Sequence, residues 1–361
     1  MIRRVASVLV VGSMLAGCGG ATTSAAPSTP AAAAAGPSSS GVAVGSPTPS
    51  TAPRASAPSS PAASTDALEA VRGTMDDLRA TRLVTDVQLG GNPDWQTTLD
   101  GALWVGLGDR GVARIDEKTN AVVADVDVAG PCLSLAAAFG SVWSPSCGSN
   151  EVDRIDPARN TVVARIKVPG IPEDGEGQLV AAFGSVWLFT DFNGTLVRID
   201  PAHDRIAATY HINGDGVSLV ATPQGLWAVE PSHSAVVEID PKSGKVVRTV
   251  PVAASPRFAA AGDGGIWVLG QSTGQVSRID PDTGSVAATI DVEVPGEGGC
   301  VAVGGGSVWI TVFQTPVSRI DQKTDKVIEQ FTGAGGDCIS FSAGSVWLSN
   351  NSQGTVSRIR P

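Results

Sequence analysis

GDGGIWVLGQSTGQVSRIDPDTGSVAATIDV, residues 262–292, is one copy of a unit that the chain writes seven times. Its fixed points are a Trp that closely follows a Gly, and an Ile about a dozen residues further on. The Trps are Trp104, Trp143, Trp187, Trp227, Trp267, Trp309 and Trp347, spaced 39, 44, 40, 40, 42 and 38 residues apart. Their partners are Ile115, Ile155, Ile199, Ile239, Ile279, Ile320 and Ile359. A period near forty, filled with short alternating runs and turn residues, is that of a propeller blade of four strands. The expected fold class is all-β, a seven-bladed β-propeller of four-stranded antiparallel blades over residues 81–361.

Around Trp143 the strands are expected at 133–138, 141–144, 152–155 and 162–168, innermost to outermost. Alanine-rich first strands, such as Ala136-Ala137-Ala138, suit the crowded axis where blades converge. The recurrent Asp-Pro after the Ile (Asp156, Asp200, Asp240, Asp280) is a turn signal. Asp accepts backbone amides ahead of it, and Pro presets φ at the next position. RLVTDVQL, residues 82–89, resembles a fourth strand with no first three ahead of it, while the last unit ends at Ile359-Arg360-Pro361 with no fourth strand. The two fragments complete each other. Residues 82–89 are therefore expected to close the ring as the outermost strand of blade 7, which removes an exposed sheet edge.

The sequence begins MIRRVASVLVVGSMLAGCGG, with Arg3 and Arg4 ahead of an apolar run too short to span a bilayer. Leu15-Ala16-Gly17-Cys18 resembles a bacterial lipobox. That resemblance implies a lipoprotein signal peptide over 1–17, lipid on Cys18, and an exported, extracytoplasmic protein anchored to the cell membrane. Residues 18–64 are almost entirely Ala, Pro, Ser, Thr and Gly with a single charge, Arg54, and read as a disordered linker. Residues 65–80 place Leu68, Val71, Met75 and Leu78 on one face at helical spacing, the pattern of a short amphipathic helix. A net charge of −10 argues against nucleic acid as a partner and against docking to anionic lipid by charge. The expected state is a monomer that meets the membrane through its lipid anchor.

The stretches TVVARIKVPG (161–170) and AVVADVDVAG (121–130), with the Arg-Ile-Asp-Pro turns, resemble the YVTN family of propellers. They are also similar to the related streptogramin lyases, the virginiamycin B lyase group, over residues 82–361. For the lyase members the resemblance implies a metal-assisted, base-catalysed ring opening at the channel mouth, using His and Glu. This chain departs from that pattern, because it has 3 His in all. His203 falls in a turn between third and fourth strands and His211 at the end of an outer strand, so His233 is the only catalytic candidate.

Repetition separates scaffold from site. The seven Trps and the Args of Arg-Ile-Asp (Arg114, Arg154, Arg198, Arg278, Arg319) recur and so build blades. Function is expected where blades differ, on the face where fourth-to-first and second-to-third strand connections gather. Those connections hold Asp94, Asp109, Glu173, Asp174, Glu176, Asp191, Asp215, Glu230, Glu297 and Asp337 against Arg110 and Arg257. Such a face suits a cation-bearing small ligand, a basic protein or a cell-envelope component. No cofactor is required, and calcium or magnesium are the ions that clustered oxygens would hold. Trp95 and Phe258 break the pattern at the starts of first strands, and Trp95 either plugs the channel or stacks on a ligand ring. No Gly-x-Ser-x-Gly, His-Glu-x-x-His or phosphate-cradling loop is present. The reading is a binding module, with a lyase or hydrolase acting at the same face as the alternative.

Cys132 and Cys147 flank the Phe139-Gly140 turn symmetrically and are expected to face each other across the hairpin as a disulfide. Cys300 and Cys338 hold equivalent positions on adjacent blades near the axis and form the remaining pair.

Overall fold

The unit around Trp267 shows how each copy folds. Its strands are Pro256–Gly262, Gly265–Gly270, Gln275–Asp280 and Ser285–Asp291, paired antiparallel in that order. The computed structural model describes residues 65–361 except 133, 172–176 and 178. The expectations for the signal peptide, Cys18 and the linker lie outside the described residues, as do Glu173, Asp174 and Glu176. Six such sheets come from consecutive strands, and the seventh is completed from the start of the fold. First strands touch one another in cyclic order, the last (Ile339–Ser342) meeting the first (Gln96–Leu99), so the blades close into a ring.

Turn chemistry sets the strand register. Between first and second strands, pairs such as Asp100-Gly101, Phe139-Gly140 and Phe183-Gly184 have positive φ at both positions, the geometry of a type I′ hairpin. Between third and fourth strands, the Asp after the Ile accepts amides ahead of it. Asp280 takes the N–H of Asp282 at 2.8 Å and of Thr283 at 3.2 Å, and Asp156 does the same with Ala158 and Arg159. The amide of Thr283, chief among these bonds, holds the Asp280 carboxyl below the usual carboxylate range. In blade 2 the first strand begins at Ala136, because Ser134 ahead of it bonds sideways to Gly177 and Leu179 of the approach to blade 3.

Ring closure follows the expected pairing. Leu83–Gln88 lies antiparallel to Thr355–Ile359, with Leu83 opposite Ile359 and Gln88 opposite Thr355. The single helix expected over 65–80 is corrected. Helix α1 spans Thr65–Arg72 and ends at Gly73, whose N–H returns to Glu69. Asp76–Asp77 then adds a two-residue parallel strand to the outside of blade 6, beside Phe331 and Thr332. Helix α2, Leu78–Arg82, starts there because the Asp77 carboxylate caps the Ala80 N–H at 2.8 Å. The apolar face survives the break, for Leu78 is buried, and Val71 and Met75 pack against the same core.

The blade Trps fill the space between sheets. Six of them are fully buried, and Trp309 is nearly so. Each is covered by a guanidinium of its own blade at 4.8–5.9 Å from the ring. Four of these Args also reach the third-to-fourth turn of the next blade. Arg114 donates to Asn160 at 2.8 Å, Arg154 to Asp204 at 3.0 Å, Arg278 to Asp325 at 2.7 Å, and Arg358 to Asn120 at 2.8 Å. Every acceptor is the left-handed residue of its turn, a conformation that Asn and Asp tolerate. Each guanidinium thus fixes a Trp and clamps a seam.

Three seams differ. Blade 7 has no such turn to offer blade 6, and there Glu329 of blade 6 joins Arg319 at 3.0 Å to Arg82 at the foot of the closing strand. At the other two the left-handed residue is glycine. Tyr210, which stacks on Trp187, fills the space over Gly244, and Arg248 fills the space over Gly284.

Candidate functional site

The axial channel is built from the first strands. Its cavity of about 360 Å³ is lined by alanines, valines and leucines with Ser134 and Gln96. Trp95 of blade 1 reaches Phe258 of blade 5 across the axis, ring centroids 6.0 Å apart, and both are buried. Trp95 therefore takes the plug position rather than an open stacking surface. Cys300 and Cys338 bond at the same level, Cα atoms 4.9 Å apart, and staple blade 6 to blade 7. Gln96 adds a further inter-blade tie, donating to the carbonyls of Trp347 at 3.0 Å and Cys338 at 3.2 Å. Cys132 and Cys147 form the second disulfide, Cα atoms 5.9 Å apart, across the expected hairpin. Such bonds persist in oxidising compartments. Among the described residues no helix is long and apolar enough to cross a membrane.

By strand parity the fourth-to-first and second-to-third connections lie on one face, here called the upper face, and several of its described acids are loop builders. Asp191 accepts from the Thr195 hydroxyl at 2.6 Å, the Thr195 amide at 3.0 Å and the Asn193 amide at 2.8 Å. Burial works against its ionisation, but these bonds prevail and hold its carboxyl below the usual range. Asp337 accepts the Asn351 amide at 2.9 Å, and burial pushes its carboxyl up. Asp109 sits exposed in a short 3-10 turn, Glu297 is exposed in the approach to blade 6, and Arg257 is half-buried beside Phe258. These groups belong to different blades. Among the described residues no three His, Cys, Asp or Glu side chains are placed to hold a metal ion.

One group does converge. Glu230 ends the second strand of blade 4, and the 3-10 turn Pro231–His233 follows it. His233 turns back so that its Nδ1 lies 3.4 Å from Glu230 Oε2, with the imidazole exposed and the carboxyl buried. Asp215, in the loop arriving from blade 3, accepts the Ser232 amide at 2.9 Å and hydroxyl at 2.8 Å, which pins that loop to the turn. Glu230 is only 4% exposed, and its Oε1 has no hydrogen-bond partner among the described residues. Burial pushes its carboxyl above the usual carboxylate range, with His233 opposing and Asp215 adding to the shift. The carboxyl rests against Gly214, where any Cβ would stand 2.1 Å from Oε1.

Beside this cluster a groove of about 440 Å³ runs along the seam between blades 3 and 4. His211, Asn213 and Glu230 line it, with Val237, Lys245 and Thr249. Gly244 of the turn is among its lining residues, and Tyr210 of blade 3 stands over that glycine. His211 does lie at the end of an outer strand. Its strand, Arg205–His211, ends opposite Thr195 and so on the upper face, at the rim of the groove. Strand parity carries that signal, since the fourth strand of any blade must finish where the second-to-third connection lies. His203 does lie in its turn on the opposite face, 2.7 Å from Asp200.

No protein-family model matches the sequence, and no curated protein matches it. Solved structures do. Virginiamycin B lyase from Staphylococcus aureus is 16% identical with a TM-score of 0.64, covering 77% of this chain and 98% of that one. The fold is similar to that of virginiamycin B lyase. A catalytically inactive histidine-to-alanine variant of that lyase with quinupristin gives a TM-score of 0.66, also at 16% identity and over 77% of this chain and 98% of that one. Hydrazine synthase of Kuenenia stuttgartiensis matches as well, with a TM-score of 0.64, 16% identity, and 76% and 96% of the two chains covered. At such identity virginiamycin B lyase shares its architecture with this chain, and function must be argued from the site.

Proposed function

We propose that this chain is an extracytoplasmic binding module, tethered to the membrane by lipid on Cys18 and acting as a monomer through its upper face. The observation that carries the reading is the channel. Its described lining contains no Asp, Glu, His, Lys or Arg, and Trp95 with Phe258 fills its mouth. Base-catalysed ring opening of the lyase kind needs titratable groups converging at that mouth. The titratable groups that do converge, Asp215, Glu230 and His233, stand on blade 4 beside the seam groove. A buried carboxylate next to a groove binds cation-bearing ligands reversibly, and of the occupants considered a small ligand suits this groove best. No cofactor is required, and stabilisation by calcium or magnesium is the outcome that would assign a metal to this face.

Thermal-shift titration with cell-envelope fractions, before and after removal of small molecules, tests the reading. Stabilisation of wild type that is lost in Glu230→Gln supports it; equal responses of the two proteins overturn the placement. The His233–Glu230 contact favours one second reading, a lyase or hydrolase using that pair as base and orienting group. Turnover of a streptogramin that vanishes in His233→Ala would establish it instead.

A further inference from the structure

We propose that Asn213 is a site of self-modification, at which the side-chain amide is lost to attack by the Gly214 nitrogen and the residue becomes aspartate or isoaspartate. The inference stands whatever the upper face binds. The chain has two Asn-Gly steps, Asn193-Gly194 and Asn213-Gly214, both in connections on the upper side of blade 3. Asn is thermolabile, most of all before glycine, which sets no β-carbon in the path of the attacking nitrogen. The fold treats the two steps differently. Around Asn193 the backbone is fixed on both sides: Asp191 takes the N–H of Asn193 at 2.8 Å and of Thr195 at 3.0 Å. Gly194 is buried, its carbonyl accepts the Ile212 N–H at 3.0 Å, and any Cβ there would stand 2.1 Å from the Ile212 carbonyl oxygen. Asn213 is exposed at the rim of the groove. Among the described residues no hydrogen bond engages its side chain, its amide or the amide of Gly214. The group nearest Gly214 is the carboxyl end of Glu230, a side-chain tip that can give way as the backbone turns.

The reaction needs only water. Hydroxide removes the Gly214 amide proton, the nitrogen bonds to Asn213 Cγ, and the Cγ–Nδ2 bond breaks as ammonia leaves, closing a succinimide ring. Water then opens the ring. Attack at Cγ gives aspartate, and attack at the main-chain carbonyl gives isoaspartate, whose backbone is longer by one methylene. Both products set a new carboxylate beside Glu230 and Asp215, where like charges repel. Isoaspartate does more. It lengthens the chain just ahead of Asp215, whose carboxylate holds the Ser232 amide at 2.9 Å and hydroxyl at 2.8 Å. The pin between the loop entering blade 4 and the Pro231–His233 turn is thereby loosened.

Incubation of the full folded chain at mildly alkaline pH, followed by peptide mass spectrometry that separates aspartate from isoaspartate, tests the assignment. Asn213 should convert at least several-fold faster than Asn193, with both products present. In denaturant, where no contact protects either step, the two should convert at similar rates. Asn213→Gln, which cyclises far more slowly, should keep its amide in the folded chain, and its melting curve shows that the fold is retained. Hydrogen exchange at the Ser232 amide reads the consequence. It should be several-fold faster in the isoaspartate form than in fresh protein, and close to fresh protein in Asn213→Asp, which adds the charge without the extra methylene. Conversion of Asn193 as fast as Asn213 in the folded chain overturns the assignment, as does survival of Asn213 in the folded chain while the denatured chain converts. Unchanged exchange at Ser232 in the isoaspartate form overturns the loosening of the turn.

Discussion

Arg248 lies over the Trp227 ring at 5.9 Å and pairs with Glu238, its direct register partner, at 3.3 Å. In blades 1, 2, 3 and 5 the Arg stands on the third strand and an Ala stands opposite it on the fourth. Blade 4 moves the Arg to the fourth strand and sets Glu238 opposite it on the third. The guanidinium still covers the Trp, but it arrives from the outer strand and carries a buried carboxylate as its partner. Arg248→Ala should destabilise by about 3 kcal/mol, because Glu238 is then left buried and unpaired. The double variant Glu238→Arg, Arg248→Ala restores the arrangement of the other blades and should recover most of that loss in denaturant unfolding. No recovery would mean that the Trp cover is not interchangeable between strands.

Closure of the ring depends on Leu83–Gln88 and on the Arg82–Glu329–Arg319 bridge that replaces a turn clamp. Deleting residues 65–89 removes the outer strand of blade 7 and the buried Leu78 together. The melting temperature should fall by roughly 10 °C or more, several kcal/mol at the scale of a large domain. Unchanged melting would contradict closure by this strand.

Asp153 supplies a pH test. It is buried on the third strand of blade 2, and burial pushes its carboxyl up to about 6, with Arg165 opposing. The folded state therefore holds this proton more tightly than the unfolded chain does. Its contribution is fully present below the ordinary carboxylate range and is lost as pH rises through about 6. The same blade position carries Ser277, Ser318 and Ser357 in blades 5 to 7, all buried. Asp153→Ser should raise stability by roughly 1–3 kcal/mol at pH near 7.5 and by little at pH near 4. Equal gains at both pH values would show that packing, not ionisation, is relieved.

Phe139 and Phe183 hold positive φ, 55° and 52°, in turns where Asn or Gly is at ease, and both rings are exposed. A β-carbon in that conformation costs on the order of 1 kcal/mol, and Asn lowers the cost by bonding locally. Phe139→Asn and Phe183→Asn should each raise the melting temperature by a degree or two, in the range expected for a few tenths of a kcal/mol and above. A fall would show that the rings contribute contacts that outweigh the strain.

The architecture was legible because it is repetitive: Trp, turn Asp and Ile each return about every forty residues, so an error in one blade is corrected by six others. Features that occur once were less legible. The break at Gly73 and the Asp77 cap divide a stretch whose apolar spacing alone suggests one helix. Asp215, Glu230 and His233 were read as residues of one face, but sequence does not state that the loop entering blade 4 bonds the turn leaving its second strand. The groove was harder still. It lies at one of two seams whose turns carry glycine, Gly244 and Gly284, in place of the Asn or Asp that takes an Arg clamp elsewhere. Of the acids on the face, Asp191 and Asp337 are occupied with backbone amides, which the sequence does not state.

The central claim is that this propeller binds and does not open rings. Chromatography of quinupristin after incubation with the purified protein and magnesium tests it most directly. A propeller that only binds leaves quinupristin unchanged at every protein concentration, in wild type and in His233→Ala alike. A ring-opened product made by wild type and abolished by His233→Ala would contradict it and place catalysis at the His233–Glu230 pair.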